Sequence, residues 1–340
     1  MNHPSRFENL RDLARLPWFE VRDGHLALAD ASLAGTIDIH THLALTYAKA
    51  NNVDLQATTP EALYYLAADV PLDLDVYVNK NIPKEGLERM SKDLIWGSFN
   101  PGGMRGTHTI GNILRDMDLL GIRSSVLLPI DWPAGSHNAE TWMEATRNHA
   151  PLVCFGSVHP FDPNLEARLD AQKALGARGI KVHPNVQLIR PDWSRALRLY
   201  RACAARQLPV LFHCGPVEIE PPIGRYLSQV RFVARAIEQC PETTFILGHS
   251  GALQFDEGLA LARRHPNVWL EISSQSLTNV RRIFAEAPQD RILFGSDWPF
   301  YNQAIPLAKA AIAADGDAAV LAAVLRANAE RLLGLPSQPA

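Results

Sequence analysis

Short apolar runs alternate with longer amphipathic segments along the chain. The runs are TIDIHTH (36–42), IRSSVLLPI (122–130), PLVCFGSVHP (151–160), ARGIKVHP (177–184), LPVLFHCG (208–215), TTFILGHSG (243–251), NVWLEIS (267–273) and RILFGSDWP (291–299). Each has the length of a strand, is rich in Val, Ile, Leu or Phe, and ends in Gly, Pro or Ser. Helical patterns separate them. Ile110, Ile113, Leu114, Met117 and Leu120 recur at i, i+3, i+4 spacing before the second run. Leu165, Leu169 and Leu175 mark another helix, and further helices are predicted over 193–206, 226–240, 253–264 and 280–287. Parallel pairing needs a crossover, so strand–helix alternation predicts parallel strands. Eight such units predict an α/β chain folded as a (β/α)8 TIM barrel, with a doubly wound open sheet as the alternative.

Two stretches break the repeat. Residues 1–35 form an N-terminal extension in which DGHLALAD predicts a turn or small hairpin. Residues 43–108 are a long insertion after the first strand, carrying Tyr64, Tyr65, Tyr77, Trp96 and Phe99 and then the Gly-rich turn NPGGMRG. Loops that follow barrel strands lie on the C-terminal face, where active sites are built, so this insertion is expected to be a lid or a subunit contact. Its aromatic residues would suit a homodimer. The whole of 1–340 is expected to form one domain, since barrels of this kind reach such lengths undivided.

Composition narrows the function. With 340 residues, 47% of them apolar, the chain can bury a large core. A net charge of −3 argues against nucleic acid and anionic membrane surfaces as partners, leaving a small-molecule substrate. The four cysteines, Cys154, Cys203, Cys214 and Cys240, form no CxxC pair, which fits a reducing compartment. The first residues have no continuous apolar run, and no apolar stretch is long enough for a membrane span, so a cytoplasmic location is expected. No GxGxxG opens a helix after a strand, NPGGMRG lacks the ending of a phosphate-cradling loop, and no GxSxG elbow appears.

The sharpest polar residues all end apolar runs: His40 and His42 the first, Lys181 and His183 the fourth, His213 the fifth, His249 the sixth and Asp297 the eighth. Catalytic residues of barrels sit at such positions, and core packing gives no reason to place polar groups there. Residues two apart in a strand share a side, so His40 and His42 are expected to reach one ion with Thr41 turned away and Asp38 orienting a ring from behind. Imidazoles with one carboxylate and no thiolate suit zinc first, and manganese, iron or nickel as well. A divalent ion there would activate water, with Asp297 as ligand and proton acceptor and His249 as hydrogen-bond donor to the substrate oxygen. His183 is expected to touch substrate. Glu271 faces the barrel mouth or supports a ligand, His159 lines the site, His108 sits on the lid, and Cys214 packs on the far side of its strand. His25, His137, His149 and His265 read as surface residues. Arg105 and Arg225 are candidate partners for a substrate carboxylate.

In this order, IDIHTH, FHCG, GHSG and FGSDWP resemble the amidohydrolase superfamily, in the amidohydrolase-related branch that includes aminocarboxymuconate semialdehyde decarboxylase and its relatives. The resemblance spans about residues 36 to 300. It implies metal at His40, His42, His213 and Asp297, with His249 as a catalytic or second-metal residue. GIKVHP resembles the stretch of dihydroorotase whose lysine is carboxylated and bridges two metals. A carboxylated Lys181 would leave His213 and His249 to hold a second ion; an unmodified one would pair with an acid group. The decarboxylase members lack this lysine, which favours hydrolysis of a lactone, ester or amide over non-oxidative decarboxylation of an aromatic or unsaturated acid. A non-catalytic binding barrel is the remaining reading.

Overall fold

The computed structural model describes residues 3–47, 49–99, 102–132 and 135–337. Asn100 and Pro101 of the NPGGMRG turn lie outside them. All eight apolar runs contain strands: β1 (Thr36–Thr41), β2 (Ile122–Leu127), β3 (Leu152–Cys154), β4 (Ile180–Val182), β5 (Val210–His213), β6 (Phe245–Gly248), β7 (Val268–Glu271) and β8 (Ile292–Leu293). They pair in parallel as β1–β2–β3 and as β4–β5–β6–β7–β8. Two seams join these sheets. At one, Gly156 bridges Ile180, and Lys181 N donates to Gly156 O at 2.8 Å. At the other, Thr41 bridges Trp298, and Ile39 N donates to Phe294 O at 3.1 Å. The circuit of strands is therefore that of a (β/α)8 barrel.

Crossover helices lie between the strands: α1 (Ile110–Leu119), α2 (Asn138–Thr146), α3 (Leu165–Ala174), α4 (Ser194–Ala205), α5 (Val230–Gln239), α6 (Phe255–Arg264) and α7 (Leu277–Glu286), with α8 (Ala304–Ala314) after β8. The helix expected over 226–240 is broken: Pro222–Leu227 is a separate turn of helix, and Ser228 Oγ bonds back to Gly224 O before α5 begins. Helical spacing alone cannot register such a break, because the apolar period continues across it.

Strand alternation sorts two cores. Val210, Phe212, Phe245, Leu247, Val268 and Leu270 face the helices in the larger apolar cluster. Their neighbours Leu211, Ile246 and Trp269 join Ile37, Ile39, Val126, Phe155 and Leu293 in a second cluster closed by Ala329 and Leu333. Only the barrel interior can gather residues from so many strands, and the C-terminal helix (Asn328–Leu333) plugs one end of it. The other end is left to polar side chains.

Asp23 and Gly24, both at positive φ, turn the predicted hairpin between Phe19–Arg22 and His25–Leu28. The described residues of the 43–108 insertion form a helix over Lys84–Trp96, short helical turns and a strand, Leu72–Asp73, that pairs antiparallel with Arg6–Phe7; the rest of them are irregular. Tyr65, Leu66, Leu72, Leu74 and Val78 bury it in the main core. Tyr77 is buried as well, while Trp96 and Phe99 stay exposed, so a dimer contact of the kind expected would fall to those two. No helix among the described residues is long and apolar enough to cross a membrane.

One core group titrates near neutrality. Lys309 in α8 is 1% exposed, and its Nζ donates to Gln275 O at 2.7 Å. Burial pushes its pKa down to about 7, against the Asp75 and Asp73 carboxylates, which push it up. The unfolded chain keeps that proton to about 10.5, so the folded protein binds fewer protons in between. From this group, stability rises with pH between about 7 and 10.5 and is flat below about 7. Lys309→Met should remove that slope and raise stability near neutrality by about 2 kcal/mol. Thermal midpoints of both proteins across this range check it; parallel curves would refute it.

Candidate metal centre

The polar end of the barrel gathers residues from the strand termini. His42 Nε2 lies 3.3 Å and His40 Nε2 3.6 Å from Asp297 Oδ1. Lys181 Nζ lies 3.1 Å from His40 Nε2, and His249 Nε2 lies 3.2 Å from His213 Nδ1. The His183 ring stacks on His213, with centroids 4.2 Å apart and planes 6° apart. All of these residues except His183 are buried.

Local backbone explains the convergence. Lys181, His183 and His213 share the inward parity of their strands. His249 lies past the end of β6 at φ 57°, opening a left-handed run with Ser250, Gly251 and Ala252 that turns its ring into the barrel. Asp297, at φ 66°, is turned in the same way. In β1 the register with β2 shifts between Asp38 and Thr41. This bulge lets Ile39 and His40 both face the interior while Asp38 faces outward.

Asp38 therefore does not orient a ligating ring, contrary to simple alternation. Its carboxylate accepts from Ser296 N, Ser296 Oγ, His40 N and Gln303 Nε2 and ties β1 to the β8 loop. Glu271 takes the expected part instead: His40 Nδ1 donates to its Oε2 at 2.8 Å. Glu271 also accepts from His249 N, Ser273 Oγ and Ser273 N.

These partners fix the tautomers. Glu271 takes the Nδ1 proton of His40, and Leu128 O takes that of His42 at 2.8 Å. Ser273 Oγ donates to Glu271, so it accepts from His249 Nδ1 at 2.7 Å. The lone pairs of His40, His42 and His249 are thus left on Nε2, inside the cluster. Burial keeps all the rings neutral: His42 and His213 fall to about 3, and His40, His183 and His249 fall well below the usual range, with the Lys181 charge adding to each. Burial likewise pushes Asp297 up to about 8, opposed by Lys181, and pushes Lys181 down to about 8, opposed by Asp297 and Glu271. Glu271 is raised to about 8 by burial despite its four donors.

Acceptors that face acceptors call for a cation. His40, His42 and Asp297 offer ligand atoms within 4.8 Å of one another. His213 Nδ1 donates to His249 Nε2 at 3.2 Å, which leaves the buried Nε2 of His213 without a partner. His213 lies outside that grouping and against His249, and Lys181 lies beside His40. Another grouping among the described residues, His40, His249 and Glu271, is accounted for by the hydrogen bonds just described. The donor set of neutral imidazoles and one carboxylate fits a divalent transition metal.

Two glycines make room for the cluster. A Cβ on Gly295 would stand 2.2 Å from Glu271 Oε1; one on Gly248 would stand 2.3 Å from Phe212 O and 3.2 Å from His40 Cε1.

A cavity of about 110 Å³ opens onto His42, His183, His213, His249 and Asp297, walled by Tyr47, Tyr77, Asn79, Glu220 and Tyr301. A larger groove of about 520 Å³, bordered by His25, Arg89 and Arg115, holds none of the cluster. Arg105 and Arg225 do not line the cavity. Arg105 is buried and donates to Leu45 O and Asn52 Oδ1, bracing the insertion, and Arg225 is exposed. His159 bonds Gln187 O and supports a loop rather than lining the cavity, and His108 bonds Leu63 O within the insertion. Cys214 is buried among apolar side chains as expected, and burial pushes its thiol up. Sequence reasoning missed Ser273, whose signal was its place two residues after Glu271. It also missed Asn79, in the short helical turn Val78–Asn81, and Glu220, in the loop after β5.

Residues 109–335 match the amidohydrolase family. No curated protein matches the chain. Among solved structures it is similar to an uncharacterized TIM-barrel protein from Bordetella bronchiseptica (18% identity, TM-score 0.61, 88% of this chain and 98% of that one). It is also similar to 2,6-dihydroxybenzoate decarboxylase from Rhizobium (16%, TM-score 0.57, 89% and 99%). A third is 5-carboxyvanillate decarboxylase from Novosphingobium aromaticivorans, complexed with manganese and 4-hydroxy-3-methoxy-5-nitrobenzoic acid (18%, TM-score 0.53, 88% and 99%). At these identities the likeness shows the fold.

Proposed function

The chain belongs to the amidohydrolase family, and from that premise we propose a metal-dependent hydrolase that cleaves a C–O or C–N bond beside a carbonyl in a small molecule, a lactone, ester or amide. His40, His42 and Asp297 would hold one divalent ion, zinc by donor preference, and His213 and His249 a second. A divalent ion in this setting supplies Lewis acidity and lowers the pKa of water.

The observation that carries this reading is Lys181. Its Nζ lies against His40, and its charge acts on His42, His213, His249 and Asp297, members of both groups. Burial lowers its pKa, which favours the neutral amine. Neutral amine adds to carbon dioxide and releases one proton, giving a carbamate that would add two oxygen donors to the site. The remaining roles belong to the chain's own residues. Asp297, which faces His40 and His42, would be kept ionised by a bound cation and accept a proton from water. His183 accepts at Nδ1 from Val186 N, so its Nε2–H is left to donate to the substrate. Ser273 and Glu271 hold the tautomers that aim His40 and His249. The 43–108 insertion serves as a fixed wall of the pocket.

Decarboxylation of an aromatic or unsaturated acid is the second reading, favoured by the two decarboxylases among the similar structures. Metal content decides between them. About two equivalents per chain, measured by plasma mass spectrometry on protein purified without chelators, is the expected result. Lys181→Gln should then hold about one equivalent and lose activity by roughly 10²-fold or more. About one equivalent in the unaltered protein would favour the single-ion set of His40, His42, His213 and Asp297 and, with it, decarboxylation. None after incubation with zinc or manganese would refute both.

A further inference from the structure

Asn79, from the short helical turn Val78–Asn81, and Glu220, from the loop after β5, meet at Val217 on the cavity wall. Asn79 Nδ2 donates to Val217 O at 2.7 Å, and Val217 N donates to Glu220 Oε1 at 2.7 Å. Each side chain uses one atom on the same backbone unit. The other atom of each, Asn79 Oδ1 and Glu220 Oε2, is a buried acceptor without a partner. Asn79 is 4% exposed and Glu220 6% exposed, and both line the cavity that reaches His183, His249 and Asp297. The orientation of Asn79 is fixed, because only its amide nitrogen can donate to a carbonyl.

A buried acceptor left unpaired is costly, and a carboxylate oxygen more so than an amide oxygen. Among the described residues no Lys or Arg lines the cavity to pair with it. Lys80, next along the chain, pairs with Glu218 at the surface. Lys181 stands against His40 in the metal cluster. Beside the two acceptors, Tyr77 packs with Val217 and Ala252, adding an aromatic ring to the wall. One negative charge, a second acceptor and an aromatic wall complement a positively charged nitrogen that carries N–H donors. The same wall repels a substrate carboxylate.

We propose that the substrate carries an ammonium group, which Asn79 Oδ1 and Glu220 Oε2 bind while the scissile bond lies at the histidine cluster. This rests on the cavity being the substrate pocket of the hydrolase proposed above. The test is calorimetric binding of benzylamine and its neutral isostere benzyl alcohol to the full, metal-replete chain near pH 7. The unaltered protein should bind benzylamine at least about ten-fold tighter than the alcohol. Glu220→Gln keeps an acceptor for Val217 N while removing the charge. It should lose about ten-fold or more in benzylamine affinity and leave benzyl alcohol within about two-fold. Equal affinities for the two probes, no binding of benzylamine, or benzylamine affinity unchanged in Glu220→Gln would each overturn the assignment. The comparison of probes on the unaltered protein stands even if the variant does not fold. Neither probe has a bond to cleave, so the result is separate from the reaction type, and metal content on the same samples reads the metal centre independently.

Discussion

Asp297→Asn is expected to cut kcat/KM by about 10³-fold while leaving the fold intact. Its carboxyl group faces the Nε2 atoms of both His40 and His42. The amide keeps its shape but brings neither the charge that completes the ligand set nor a basic oxygen. The backbone accepts the change, because φ of 66° is a left-handed conformation that Asn adopts as readily as Asp. Burial raises the pKa of Asp297, so replacing it with a neutral group relieves the fold of a strained charge. Turnover of a lactone, ester or amide cleaved by the unaltered protein should collapse, and bound metal should fall, with the thermal midpoint unchanged or higher. Activity within a few-fold of the unaltered protein would remove Asp297 from the chemistry.

Removing Glu271 should damage stability and metal binding together. Its carboxylate accepts from His40 Nδ1, His249 N, Ser273 Oγ and Ser273 N. Glu271→Ala strands four buried donors and should cost about 4 kcal/mol. Glu271→Gln is the more telling variant. With its carbonyl in the place of Oε2 it still accepts from His40 Nδ1, His249 N and Ser273 Oγ, and only Ser273 N meets the amide nitrogen. What it removes is the carboxylate that makes the His40 ring a stronger ligand. Metal affinity should drop by about 10- to 100-fold even where the protein folds. Competitive chelator titration checks this, and unchanged affinity in Glu271→Gln would show that the Glu271 carboxylate does not support His40 as a ligand.

Much of this arrangement was legible in the chain. Polar residues that end apolar runs have no place in a barrel core, so His40, His42, Lys181, His213, His249 and Asp297 could be placed at one rim from sequence alone. That Asp297 lies against His40 and His42 while His213 lies against His249 could not, because it depends on how far each strand terminus projects. Asp38 was misassigned because period-two alternation assumes an unbroken ladder, and β1 carries a bulge. His249 falls on the wrong parity for the interior and is rescued by a left-handed turn that no period records. Arg105 looked like a free cation because its partners Leu45 O and Asn52 are distant in sequence. Asn79 and Glu220 were invisible for a similar reason: only tertiary contact with Val217 gives them a common place.

The space left by Gly248 and Gly295 makes the tolerance of this enzyme to random change uneven in an instructive way. A single methyl group at 295 collides with Glu271, and one at 248 presses on the backbone of β5 and on the His40 ring. Neither glycine carries a reactive atom, so a search of the chain for chemistry passes over both. In a library of variants sorted for activity, these two positions should nonetheless be as intolerant as the ligands themselves, since the methyl would be felt at an imidazole and its supporting carboxylate rather than in the packing of the helices. Activity in such a barrel is bounded by where side chains are missing as firmly as by where they stand.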